Sequence, residues 1–235
     1  MPGGGLPGLG PRPTVVPGMM NRTPGQTNFV STPRPAAPEK IRHASSLNGK
    51  PIGQVPDFIS EEERTKLLHF VTRPAAPWET YLPESDVWHG RMINPRSMPP
   101  AILRLMKKIR ARIVDHIKAD YGIDEPVYCD TLQLVRWRVG DKQAPHADCE
   151  EPDGRPNHSP WRAFASMVYL NDEYEGGELH FPQRNFTPDI SPRMLAYFPS
   201  TRNYMHGVKP VTAGIRYTMS CFYTFDPRHH DGHDV

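Results

Sequence analysis

The sequence predicts a mainly β domain with flanking helices, an α+β chain in which two helices pack outside a β core. Three observations predict it. At least six short runs rich in β-branched and aromatic residues fall between residues 128 and 225, separated by Gly, Pro, Asn and Asp. Two segments upstream carry three- and four-residue apolar spacing with their own start and stop signals. The chain is 37% hydrophobic over 235 residues, which supplies a substantial single core.

The elements follow in chain order. Residues 1–38 hold nine Pro and seven Gly, so nearly half of them oppose helix and sheet. Residues 1–50 carry six Lys/Arg against Glu39, a net of +5, and read as a disordered, solvated Pro/Gly-rich leader. Order is expected from residue 51. In "PDFISEEERTKLLHFV" Ser60 is an N-cap, Glu63 completes a capping box, and Leu67, Leu68 and Val71 form the apolar face. Pro74 and Pro77 stop that helix. The second helix spans 99–119. Pro99 and Pro100 suit its first turn, and Ile102, Leu105, Met106, Ile109, Ile113 and Ile117 make one stripe. Its Arg and Lys residues read as a solvated face, and Gly122 lies just past its end.

The strand-like runs are "YCDTLQLVRWRVG", "RAFASMVYL", "GELHFP", "RMLAYFP", "MHGVKPV" and "IRYTMSCFYTF". Their number and punctuation suit a sandwich or barrel. One domain of 51–226 is expected, followed by a flexible His-rich tail over 227–235.

Composition excludes several classes. No run approaches 18 uninterrupted apolar residues, so no membrane span is expected. The opening "MPGGGLPGLGPRP" lacks a basic start and apolar run, so it is not read as a secretory signal. Three widely spaced cysteines (Cys129, Cys149, Cys221) form no zinc or redox motif and suit free thiols, so a cytoplasmic protein is expected. The whole chain is +2, which leaves residues 51–235 at about −3 and argues against a nucleic-acid partner.

Chemistry concentrates around "QAPHADCEEPDG". His146 and Asp148 stand two apart, but composition alone yields about one His-x-acid triplet, and His229–His230–Asp231 is another. A mononuclear non-haem iron site needs two imidazoles and one carboxylate on one face. His206, at the junction of two strand-like runs, is the best third ligand. Arg216 falls in "GIRYTMSCFYTF", whose neighbours predict a buried strand, and a buried guanidinium needs an anion.

Over residues 130–225 the ordered set HxD, YLN, GGE-x-x-F, FPS and H-x-V-x-P-V-x-x-G-x-R-Y resembles the Fe(II)- and 2-oxoglutarate-dependent dioxygenases of the prolyl 4-hydroxylase-like branch. The resemblance implies a double-stranded β-helix (jelly-roll, cupin-like) core with the N-terminal helices outside. It implies His146, Asp148 and His206 as iron ligands and catalytic centre, with Arg216 pairing the distal carboxylate of 2-oxoglutarate. Tyr169 is implied to share that carboxylate. Thr218, on the same strand face as Arg216, is a further donor. Cofactors are then Fe(II), 2-oxoglutarate and O2, with ascorbate in support. Gly176 and Gly177 fit a tight turn without a chemical role. Trp137 departs from the family, whose members commonly place a tyrosine there, so that contact with the cosubstrate is altered.

The implied reaction hydroxylates a C–H bond of a prolyl, peptidyl or amino-acid substrate and releases succinate and CO2. Three residues are candidate substrate contacts: Trp88 and Arg91 between the helices, and Trp161 after the polar loop "CEEPDGRPNHSPW". Partners are a small-molecule or peptidyl substrate, with no expectation for oligomeric state. A nucleic-acid demethylase on the same fold is the alternative enzyme. A non-catalytic protein that uses its Pro-rich arm as a ligand, or a cupin-like metal protein, is the alternative outside that reaction.

Overall fold

The structure is a computed structural model and describes residues 42–80 and 88–232. Residues 1–41 of the expected leader lie outside the described residues, as do 81–87 and 233–235. The elements in order are β1 (Gly53–Val55), α1 (Glu61–Thr72), β2 (Met92–Ile93), α2 (Pro100–Tyr121), β3 (Tyr128–Arg138), β4 (Gln143–His146), β5 (Arg162–Tyr169), β6 (Tyr174–Gly176), β7 (Leu179–His180), β8 (Leu195–Pro199), β9 (His206–Val208) and β10 (Val211–Thr224).

Both helices start and stop as their sequences dictate. The Ser60 hydroxyl accepts from the Glu63 amide at 3.2 Å and the Glu63 carboxylate accepts from the Ser60 amide at 2.9 Å, closing the capping box. α2 ends at Gly122, whose φ of 63° gives the left-handed C-cap. Leu67 and Val71 of the expected apolar face are buried, together with Phe70.

All strand pairs are antiparallel, in two sheets. The larger runs β1-β8-β5-β10-β3-β2, with β6 added against β10, and the smaller runs β4-β9-β7. This is the double-stranded β-helix architecture. Each of the six expected runs contains a strand.

Side-chain alternation divides the larger sheet into two faces. On β8, Tyr197 faces the helices and its hydroxyl donates to Asp120 of α2 at 2.7 Å, whereas Phe198 lines a cavity on the opposite face. The helix side forms one core in which Met106, Ile109, Ile113 and Ile117 meet Leu134, Leu195, Met219 and Tyr223. Two smaller apolar clusters lie between the sheets, one around Phe181 and Phe198, the other around Val135, Trp137 and Val208. The layers are therefore helices, larger sheet, cavity, smaller sheet.

Two expected boundaries move. Residues 42–50 belong to the body: Ala44–Leu47 is a 3-10 turn with Leu47 fully buried, and the Tyr204 hydroxyl donates to the Lys50 carbonyl at 2.5 Å. Residues 227–232 also pack, because His229 stacks on Trp161 with centroids 3.8 Å apart and Arg110 pairs with Asp231 at 3.0 Å. Charge and histidine content suggested solvation, but specific long-range partners hold both segments.

The double glycine is a backbone device. Gly176 and Gly177 both have positive φ (70° and 67°), and a Cβ on Gly176 would lie 2.2 Å from the Pro210 carbonyl oxygen. Gly176→Ala is expected to destabilise the domain by at least about 2 kcal/mol, since left-handed backbone alone costs roughly 1–2. For a domain of this size that is a fall of about 4–8 °C in Tm. A thermal melt unchanged within 2 °C would show that the turn relaxes freely.

Candidate active site

β4 and β9 are short neighbours whose register sets His146 opposite His206. Asp148 follows β4, and its amide donates to the Ser200 carbonyl at 3.0 Å, which fixes the chain where it leaves the strand. One ligand atom from each of His146, Asp148 and His206 lies within 4.8 Å of the others, the only such His/Cys/acid group among the described residues. The Asp148 Oδ1 stands 3.6 Å from His146 Nε2 and 3.8 Å from His206 Nε2.

The tautomers are set from behind. His146 Nδ1 meets the Ala144 carbonyl at 3.1 Å and His206 Nδ1 meets the Tyr204 carbonyl at 3.1 Å. Each Nδ1–H donates backward, which leaves both Nε2 lone pairs pointing into the group. Burial drives His206 down to about 4, partly opposed by the Asp148 charge, so its ring is neutral and ready to ligate at physiological pH. Burial also acts to lower His146, but the hydrogen bond and charge of Asp148 outweigh it and the net shift is upward. Burial would raise Asp148, yet the two imidazoles hold it below its ordinary value. Its Oδ2 is buried with no hydrogen-bond partner. An orphaned anionic oxygen beside two forward-facing imidazole nitrogens suits a divalent metal ion.

Arg216 lines the same cavity and is fully buried. It donates from Nη1 to the Gly177 carbonyl at 2.8 Å and from Nη2 to the Tyr169 hydroxyl at 3.2 Å, while Nε has no partner. Among the described residues no carboxylate lies within 4.0 Å of it. A buried guanidinium with donors to spare suits an anion. The Gly176–Gly177 turn, expected to have no chemical role, thus orients Arg216 through the Gly177 carbonyl. Asn171 braces the strand beside it, donating to the Ile215 carbonyl and accepting from the Tyr217 amide, both at 2.8 Å.

The predicted residues separate cleanly. His146, Asp148, His206, Arg216 and Thr218 share the cavity wall with Trp88 and Trp137, and Tyr169 touches it through Arg216. Arg91 does not line the cavity. It pairs with Asp141 at 2.8 Å and lies 5.1 Å from the Trp137 ring, bracing that indole from outside. Trp161 is also elsewhere, with its indole N–H donating to Asp130 at 3.0 Å and its ring stacked on His229. The sequence missed Gln133, Gln143, Ser220 and Arg162. Alternation from Thr218 would have named Ser220. Gln143, whose amide lies 3.4 Å from His146 Nε2, sits on β4, which Pro145 disguised as a loop. Arg162 stacks 3.8 Å over Phe222 of the cavity wall, and its charge bears on both His146 and Asp148.

Residues 132–224 match the family model described as the 2OG-Fe(II) oxygenase superfamily. That stretch begins in β3, ends with β10 and encloses the whole His/Asp/His and Arg216 set. Over that stretch the chain is similar to that superfamily. It is 24% identical over 180 residues to mouse prolyl 3-hydroxylase 1, covering 67% of this chain and 24% of the relative. It is 36% identical over 147 residues to mouse prolyl 3-hydroxylase 3, covering 54% and 20%. The chain thus spans about a fifth to a quarter of these relatives. Among solved structures, the viral collagen prolyl hydroxylase of Paramecium bursaria Chlorella virus-1 in its 2OG complex superposes with a TM-score of 0.58 at 16% identity, covering 76% of this chain and 97% of the other. The Trichoplax adhaerens prolyl hydroxylase with a hypoxia inducible factor peptide gives 0.58 at 18% identity, covering 79% and 88%. No helix among the described residues is long and apolar enough to cross a membrane.

Proposed function

We propose that the chain is a 2-oxoglutarate-dependent Fe(II) hydroxylase acting on a prolyl or other peptidyl C–H bond, within an oxygenase domain that includes residues 42–50 and the segment to 232. One observation carries the reading: a buried Arg216 without a carboxylate partner among the described residues shares a cavity with a His/Asp/His group whose Asp148 Oδ2 is also unpartnered among them. Each orphan calls for one half of the same cofactor pair, a dianion and a divalent metal.

His146 Nε2, His206 Nε2 and an Asp148 oxygen would hold Fe(II). Arg216 would bind the distal carboxylate of 2-oxoglutarate through its planar fork, with the Tyr169 and Thr218 hydroxyls as neutral donors beside it. When bound, the iron and the cosubstrate supply the oxidation of the C–H bond by O2, with loss of CO2 and formation of succinate. The protein positions and excludes. The neutral His206 ring needs no proton loss to ligate, and Phe198, Leu179, Val208 and Trp137 keep the wall apolar against bulk water. Gln143 now caps the His146 lone pair and must turn aside for a metal, which places its amide at the edge of the reacting space.

Prolyl or peptidyl substrates are favoured over free amino acids and nucleic acid because the relatives of similar sequence are prolyl 3-hydroxylases and the body is mildly acidic. The test is a panel of Pro-containing peptides, free proline and a methylated oligonucleotide, each incubated with Fe(II), 2-oxoglutarate and ascorbate. A substrate-dependent rise in succinate together with a one-oxygen mass gain on a peptide is expected. Loss of a methyl group from the oligonucleotide, with unmodified peptides, would transfer the assignment to a demethylase.

A further inference from the structure

The helical layer has a second feature that the oxygenase chemistry does not use. α1 and α2 leave a groove between their faces, lined entirely by residues of α1, its C-cap Arg73, Pro99 and the first half of α2. Phe70, Ile102 and Leu105 form the floor. Along the α2 stripe Met106, Ile109, Ile113 and Ile117 are fully buried, while Ile102 and Leu105 pack against the core edge, stay half-buried and line this groove.

The rim is cationic. Arg73, Arg104 and Lys108 stand along it, and no carboxylate lines it. Arg104 and Lys108 are four apart on one helix face, a spacing at which like charges repel, and neither has an ion-pair partner among the described residues. Arg73 lies 4.4 Å over the Phe70 ring with no acidic partner among the described residues. Lys66 at one end is the exception, paired with Glu62 at 2.5 Å. On the same two helices Arg64 is matched by Glu61 and Arg112 by Glu63.

We propose that this groove docks an acidic amphipathic segment of a partner protein, with apolar side chains on the floor and carboxylates meeting Arg73, Arg104 and Lys108. The chemistry selects that occupant. The chain's own residues 1–41 carry Arg12, Arg22, Arg34 and Lys40 against one Glu39, so they share the sign of the rim. A second copy presenting the same groove across a two-fold would also meet like charge. A nucleic acid would find an apolar floor whose one aromatic ring is already covered by Arg73. An amphipathic helix between two helices satisfies floor and rim together. The groove lies on the helix side of the larger sheet and the oxygenase cavity on the other, so docking leaves the cavity free.

The probe is a short fluorescein-labelled peptide of Glu, Ala and Leu, with Leu at i, i+3, i+4 and i+7, read by anisotropy against the full chain at low salt. Controls are the same composition scrambled to abolish the apolar face, a version with Lys for Glu, and a single-stranded oligonucleotide of matched charge. The acidic amphipathic peptide is expected to bind at least about 10-fold tighter than the scrambled one. Arg104→Glu/Lys108→Glu should reverse the preference, losing the Glu peptide and gaining the Lys peptide, a swap that a misfolded variant cannot produce. Arg216→Met should leave the affinity unchanged. Equal binding of the scrambled peptide, tighter binding of the oligonucleotide, no binding at all, or loss without charge-swap gain would each overturn the proposal.

Discussion

Arg216→Met is expected to raise the 2-oxoglutarate needed to half-saturate the anaerobic Fe(II) complex by about 30-fold to several thousand-fold, while the empty protein keeps nearly its full stability. The affinity loss follows from truncating one side of a buried, hydrogen-bonded charge pair, about 2–5 kcal/mol, at 1.4 kcal/mol per decade. The small stability change follows from opposed effects. The guanidinium is fully buried with no carboxylate near it among the described residues, so its removal relieves a desolvation penalty of several kcal/mol. Against that, the Gly177 carbonyl and the Tyr169 hydroxyl lose their donor, at roughly 1–3 kcal/mol each. Arg216→Lys keeps a charge without the fork and is expected to fall between the two.

The readout is the visible charge-transfer band of chelated 2-oxoglutarate, titrated without oxygen and paired with a melt of the empty protein. An unchanged half-saturation point in Arg216→Met would make this arginine structural and remove the observation on which the proposed function rests. A collapse in Tm with an unchanged binding curve would say the same, since it would show that the cation stabilises the empty fold.

The same residue shows how far a sequence can be read. Its burial was legible from the β-branched and aromatic neighbours in "GIRYTMSCFYTF", because local composition reports burial. Its partners were not, because the Gly177 carbonyl lies 39 residues away and no periodicity connects them. The long elements behaved alike: the α2 stripe and the 14-residue β10 carry enough repeats to declare themselves. β4 has four residues and one is Pro145, so the strand that presents His146 is not among the six expected runs although its histidine stood out. Trp161 and the segment 42–50 failed for the opposite reason. An exposed-looking tryptophan beside a polar loop and a cationic leader both follow composition, whereas their positions are fixed by Asp130, His229 and Tyr204, far off in sequence.

The chain contains two His-x-acid triplets, and metal binding should distinguish them completely. With Fe(II) held at 100 times its Kd, a ligand that binds only the folded state adds about 2.7 kcal/mol, which for this size raises Tm by about 5–10 °C. His206→Ala should abolish that rise. Partners of metal ligands already cost 10–100-fold in affinity, so loss of a ligand itself is expected to exceed about 100-fold. Asp148→Asn should do the same, because the amide has no negative charge to offer the ion. His229→Ala should keep the whole Fe(II)-dependent rise. His229 is stacked on Trp161 and stands 3.8 Å from Asp226, while Asp231 is engaged by Arg110 and by His230 at 3.7 Å, so His229 and Asp231 face different partners. A metal-dependent rise surviving in His206→Ala, or lost in His229→Ala, would place the ion elsewhere. What separates the triplets is register: β4 and β9 bring a second imidazole 60 residues away in sequence to face Asp148, and among the described residues no second group of three such ligands forms.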